Sequence, residues 1–134
     1  MDITDDHGKK IGELSFKRIN STSDLLNGLS ESKRDSDVSE IMREISSKVK
    51  FPALELTTYQ IYDKNNRGKK HGKKAIKLFF EYAKNNGYSH AIAQVGKTSF
   101  SGTIEENIKV YESFGWIMCQ MPSPYSLRFT YRTL

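Results

Sequence analysis

Cysteine is almost absent: Cys119 stands alone in the chain. One cysteine excludes an internal disulfide framework and fits a reducing compartment, where it reads as a small buried hydrophobe. No apolar run is long enough to span a bilayer, and the opening MDITDDHGKK lacks the apolar core of a signal peptide. No membrane partner and a cytoplasmic location are therefore expected. His7, His71 and His90 are scattered, and no His/Cys pair stands at metal-ligand spacing, so no metal site is expected. Neither GxxxxGK[ST] nor GxGxxG occurs, since Gly68 and Gly72 are four apart. Repeats and domain linkers are also missing. What is there is 134 residues, 37% hydrophobic and 28% charged, read as one soluble domain spanning 1–134 with a core of its own.

The charge is concentrated rather than spread. Residues 64–77 hold Lys64, Arg67, Lys69, Lys70, Lys73, Lys74 and Lys77, and no acid. Without those seven of the 21 cations, the formal charge falls from +5 to −2. A general nucleic-acid coat is basic throughout; this is a near-neutral domain with one positive end. A local anionic ligand and a solvated helix face both answer to that pattern.

Along the chain, residues 2–5 and 11–19 read as two strands joined by a turn at Asp6-His7-Gly8. Polar residues 20–35 carry one apolar cluster, Leu25, Leu26 and Leu29, which suggests a short helix and then a loop. Asp37–Lys48 sets Val38, Ile41, Met42 and Ile45 at helical spacing, with Val49 following, and Phe51-Pro52 marks the end of that segment. Ala53–Tyr62, rich in β-branched and aromatic residues, reads as a strand. Lys70–Asn86 is an amphipathic helix with Gly72, Ala75, Ile76, Phe79, Phe80 and Ala83 on one face, stopped at Gly87. Tyr88–Val95 reads as a buried strand. Thr103 and Glu106 form a capping-box pattern before a helix carrying Ile104, Ile108, Val110, Tyr111 and Phe114, which Gly115 ends. Trp116–Met121 and Tyr125–Thr133 are the last strands, separated by Pro122-Ser-Pro124. The order predicts an α/β or α+β sheet flanked by helices.

The run Arg67-Gly68-Lys69-Lys70-His71-Gly72 thus lies between a strand and a helix start. The first backbone N–H groups of a helix lack internal partners, and the helix dipole makes that end positive. A glycine-bearing loop feeding such an end is a ready phosphate site, and nearby cations strengthen it.

Strand, R-G-K-K-H-G and amphipathic helix together resemble the acyl-coenzyme A pyrophosphate loop of the GNAT acetyltransferases, usually written Q/R-x-x-G-x-G/A. Arg67 matches the first position and Gly72 the last, while Lys70 stands where the middle glycine is expected. A second block, Asn107 to Trp116 (NIKVYESFGW), is similar to that family's helix ending in Y-x-x-x-G-F, with Tyr111 four residues before Gly115. The resemblance covers roughly residues 53–133. It implies a mixed, mostly antiparallel central sheet flanked by helices. The family usually begins strand, two helices, strand pair; here the hairpin comes first, so a shortened or rearranged N-terminal half is expected.

The resemblance implies an N-acetyltransferase in which an amine attacks the thioester of acetyl-coenzyme A directly, both held in one cleft. The pyrophosphate falls on the backbone N–H groups of Gly68 to Lys73, including Lys70, His71 and Gly72, with Arg67, Lys69 and Lys73 adding charge. Gln60, Ile61 and Tyr62, ending the preceding strand, pair with the pantetheine amides and polarise the thioester carbonyl. Tyr111 protonates the leaving thiolate, Glu55 is the best-placed carboxylate for a general base, and Asn107 is a coenzyme A contact. A water chain or an already neutral amine serves equally well as base. The alternative is a catalytically inactive GNAT-like module whose basic loop grips coenzyme A or nucleic acid. The acceptor (small amine, protein N-terminus, lysine or aminoacyl-tRNA) and the oligomeric state, a homodimer included, stay open.

Overall fold

The computed structural model describes residues 1–27, 36–62, 70–95, 104–121 and 128–134. The elements run β1 (Asp2–Thr4), β2 (Lys10–Ile19), α1 (Thr22–Leu26), α2 (Ser36–Lys48), β3 (Ala53–Ile61), α3 (Lys70–Asn85), β4 (His90–Val95), α4 (Ile104–Ser113), β5 (Ile117–Met118) and β6 (Arg128–Thr133). They build a six-stranded sheet of order β1-β2-β3-β4-β6-β5. Every neighbouring pair is antiparallel except β3 with β4. The hairpin does precede the helix pair, so the N-terminal half is rearranged as expected. No described helix is long and apolar enough to cross a membrane.

Strand alternation sends side chains to two cores, one on each face of the sheet. Leu14, Leu54, Leu56, Tyr59, Ile61, Ala91, Ala93 and Val95 meet Ala75, Ile76, Phe79 and Ala83 of α3 and Tyr111 of α4. On the other face Ala53, Ile92, Phe129 and Tyr131 meet Val38, Ile41, Met42 and Ile45 of α2, the stripe its spacing predicted. Cys119 lies in this second core. Burial pushes its thiol up to about 12, with Glu44 adding to the effect, so it stays a protonated small hydrophobe.

The β1–β2 turn is held by one carboxylate. Asp5 accepts the N–H groups of His7 and Lys9, each at 2.9 Å, and these bonds hold its carboxyl below the usual range. Both long helices of the second half end in the same way. Gly87 has φ +84° and Gly115 has φ +85°, a conformation that costs glycine little. Around Gly87, Tyr88 N–H bonds Ala83 O and Gly87 N–H bonds Lys84 O; around Gly115, Trp116 N–H bonds Tyr111 O and Gly115 N–H bonds Glu112 O. That is the Schellman pattern at both ends.

Several expected boundaries shift. Of the strand expected over Trp116–Met121, only Ile117–Met118 forms β5, paired with β6 at Ile117/Tyr131 and Met118/Thr130 at the edge of the sheet, while residues 125–127 of the last expected strand lie outside the described residues. Thr130 is fully buried and donates its hydroxyl to Ile117 O at 2.8 Å, fastening that edge. The strand expected from Tyr88 starts at His90, since Tyr88 is taken by the helix cap. Leu29, Thr103 of the capping box and the Pro122-Ser-Pro124 loop lie outside the described residues.

His90, at the start of β4, joins the sheet to the segment after α2. Its Nδ1 accepts Lys50 N–H at 3.1 Å, which requires that nitrogen unprotonated. Partial burial, and then the nearby Lys50 charge, hold the imidazole below its ordinary value of 6.5. As pH falls through that ordinary value, the unfolded chain takes up the proton first, so stability is full above it and declines below it. Urea melts at several pH values should therefore show wild-type stability falling as pH drops below about 6.5, with a shallower fall in His90→Gln. Equal slopes in the two proteins would remove His90 from the account.

Candidate active site: the split between β3 and β4

The sheet opens in its middle. β3 and β4 pair only at Leu54/Ala91, Glu55/Ile92 and Leu56/Ala93. Beyond that point β3 continues along β2 as far as Ile61/Gly12, and β4 continues along β6 as far as Val95/Arg128. The two parallel strands therefore part at their carboxyl ends, where open α/β sheets place their ligands.

A bulge marks the parting. The β2–β3 register steps from Phe16/Leu56 to Ser15/Thr58, leaving Thr57 without an opposite residue. A bulge bends its strand and flips the phase of every later side chain. Burial records the flip: before it Leu54 and Leu56 face the α3 core, and after it Tyr59 and Ile61 do.

α3 leaves this end of β3. Its first turn holds no acid, and Lys73 and Lys74 are exposed there. That suits an anion at the helix start. Arg67, Gly68 and Lys69 lie outside the described residues, as does the Lys70 side chain. Gly72 lies inside the first turn facing the sheet: a Cβ there would meet Tyr59 Oη at 3.1 Å. The Tyr59 hydroxyl donates to the Gly72 carbonyl. Close helix–strand packing thus explains why glycine stands at 72. His71 turns the other way, toward the hairpin, and with Lys74 lines a cavity of about 910 Å³ against Asp2, Asp5 and Asp6. That cavity sits beside the edge strand β1, two strands from the split.

The strand end needs a correction. Tyr62 N–H bonds Ile11 O at 2.9 Å, and the antiparallel alternation turns the backbone of Gln60 toward Glu13 as well. Of the three residues expected to face a ligand with their backbone, only Ile61 points away from β2.

Tyr111 and Glu55 lie on opposite faces of the sheet. Tyr111 is 1% exposed, in the α3 core, with its ring edge-on to Trp116 at 5.2 Å. Asn107, one turn earlier on α4, is buried on the same side as Tyr111. Glu55 is buried too, but it shares its register and its face with Ile92, on the α2 side, just before the strands part. The Lys17 ammonium lies 3.8 Å from its Oε1. Among the described residues no group of His, Cys, Asp and Glu could hold a metal ion.

Tyr59 and Arg132 lie outside the two sequence motifs, and Trp116 lies at the end of the second. Tyr59 joins β3 to α3; burial pushes its phenol well above the ordinary value, and the neighbouring Tyr111 adds to this. Trp116 Nε1 is a buried donor without a hydrogen-bond partner among the described residues. Arg132 donates from Nε to Phe114 O at 2.7 Å, and its guanidinium lies 4.1 Å from the centre of the Phe80 ring. It thereby caps the carboxyl end of α4 and locks that helix to α3. Strand alternation alone could have flagged Tyr59, had the bulge been visible.

No protein-family model matches the sequence, and no curated protein matches it. Solved structures do match in fold. One is an acetyltransferase of the GNAT family from Staphylococcus aureus Mu50, at TM-score 0.58 and 15% identity, aligned over 98% of this chain and 64% of that one. Another is the mosquito arylalkylamine N-acetyltransferase like 5b, at TM-score 0.58 and 12% identity, over 96% and 70%. The chain thus has the GNAT acetyltransferase fold while spanning 64% of the length of the first of these structures.

Proposed function

We propose that the protein is an N-acetyltransferase that moves the acetyl group of acetyl-coenzyme A to an amine by direct attack within a ternary complex. The observation that carries this reading is the split itself. In a GNAT fold, a parallel strand pair parts after Leu56/Ala93, and the acid-free amino end of α3 follows. Acetyl-coenzyme A supplies the activated thioester, and the residues at the split fit its anionic end.

The chain's own groups take the following roles. The first-turn N–H groups of α3, from Lys70 to Lys73, hold the pyrophosphate together with the loop residues Arg67, Gly68 and Lys69. The backbone of Ile61 aligns the pantetheine arm and polarises the thioester carbonyl, a donor aimed where negative charge develops. On the α3 face, Tyr111 delivers a proton to the leaving thiolate, and Asn107 orients the same region. On the α2 face, Glu55 is the carboxylate at the base of the gap. Placement of the reactants from two sides of one opening makes orientation the main source of rate.

Thermal unfolding tests the reading. A ligand at a hundredfold excess over its Kd stabilises the folded state by about 2.7 kcal/mol. For a domain of this size that raises Tm by several degrees. Saturating acetyl-coenzyme A should produce such a shift, and acetate plus adenosine should not. A shift with oligonucleotide but none with acetyl-coenzyme A would replace the enzyme by a nucleic-acid-binding module on the same fold.

A further inference from the structure

We infer that Tyr59 is a positioning residue for the phosphate-binding end: delivered to α3 by the Thr57 bulge, its hydroxyl fixes the first turn of that helix against β3. The inference rests on the acetyl-coenzyme A reading above and adds to it a residue that neither family motif contains.

Two contacts carry it. The Tyr59 hydroxyl donates to the Gly72 carbonyl. Gly72 faces the same phenol closely, since a Cβ there would lie 3.1 Å from Oη, 3.7 Å from Cε1 and 3.8 Å from Ile61 Cδ1. In a helix the Gly72 carbonyl already accepts the N–H four residues on. The helix therefore does not need the bond to satisfy its backbone, and the effect of the bond is on where the turn sits. Glycine at 72 removes the spacer that would hold helix and strand apart, and the hydroxyl then fastens them. The first-turn N–H groups of a helix point along its axis, so a fixed turn fixes where an anion can dock.

The bulge is what makes this available. Without the extra residue at Thr57, position 59 would share the face of Glu55 and point at α2. With it, Tyr59 enters the α3 core beside Tyr111. Burial and that neighbour keep the Tyr59 phenol protonated, so it remains a donor throughout the ordinary pH range. One distortion of β3 thus opens the split and sets the helix that follows it.

The test compares wild type with Tyr59→Phe in the full chain. Coenzyme A binding is titrated by calorimetry. Acetyl-pantetheine, which has the thioester arm but no pyrophosphate, is followed by ligand-observed NMR. Amide exchange at Lys74, Ala75 and Ile76, whose N–H groups bond back into the first turn, is read without ligand. Coenzyme A affinity should fall roughly threefold to tenfold, the effect of one hydrogen bond. Acetyl-pantetheine affinity should hold, and the three amides should exchange faster while those of β2 and β6 do not. Equal losses for both ligands, or unchanged exchange with unchanged coenzyme A affinity, would overturn the role of Tyr59. A wild-type chain that fails to bind coenzyme A would sink the acetyl-coenzyme A reading and this inference with it; the wild-type titration identifies that case before any variant is compared.

Discussion

Gly12→Ala should destabilise the protein by about 3 kcal/mol, the upper end of the range for overpacking. A Cβ at position 12 would lie 2.1 Å from the Gln60 carbonyl oxygen and 3.1 Å from both Gln60 C and Ile61 Cα. All three are backbone atoms, so no side chain can rotate away. Either β2 lifts from β3 or the ladder breaks between Glu13/Gln60 and Gly12/Ile61. Glycine-to-alanine changes also restrict the unfolded chain, a gain of about 0.4–1 kcal/mol, which is too small to offset the clash. Urea denaturation would show a lower midpoint with the slope unchanged. A loss under about 1 kcal/mol would mean that the two strands separate easily there. The consequence reaches the site, because the displaced segment is the end of β3 that faces the split.

That close approach shows where sequence reading stops. Gly12 looked like an ordinary strand residue, since a glycine gives no sign of what lies opposite it. The same holds for Thr57. Two threonines in a row suit a strand, and nothing in ALELTTYQIY reveals that the second half is a residue out of phase. Register is a property of two chains of residues, and the partner here, β2, is reached only after the α1–α2 excursion. Without the bulge, Tyr59 cannot be assigned to the α3 face, and the backbone of Gln60 and Tyr62 cannot be assigned to β2. The helices were legible because their signals are local. Ala75, Ile76, Phe79 and Ala83 recur at the period that buries one face, and Gly87 and Gly115 end α3 and α4 by adopting positive φ. The rearranged amino-terminal half was legible for the same reason: hairpin and helices each carry their own pattern, whatever order they come in.

The Y-E-S-F-G-W block was legible for a reason other than chemistry. In the Schellman motif ending α4, Tyr111 supplies the carbonyl that accepts Trp116 N–H, Gly115 supplies the left-handed residue, and the ring contact of Tyr111 with Trp116 is the apolar contact that accompanies such caps. Tyrosine, glycine and an aromatic at this spacing therefore follow from ending a helix well. The cap requires the Tyr111 ring and not its hydroxyl. A proton-donating role has to rest on that one oxygen.

Tyr111→Phe separates the two. The ring stays, so the edge-on contact at 5.2 Å and the cap survive. Stability should fall by no more than about 1.5 kcal/mol, the net value of a hydrogen bond. If the phenol protonates the leaving thiolate, turnover should drop roughly 10²- to 10⁴-fold, the contribution of a positioned general acid. Affinity for acetyl-coenzyme A should stay within about threefold, since the pyrophosphate is held at α3 and the loss falls on the transition state. Tyr111 is 1% exposed, so bulk water is poorly placed to replace it as proton source. Steady-state rates with the variant, at saturating thioester and a panel of amines, give the answer. Unchanged turnover with unchanged affinity would leave Tyr111 as the residue that ends a helix. The proton would then have to come from elsewhere along the split.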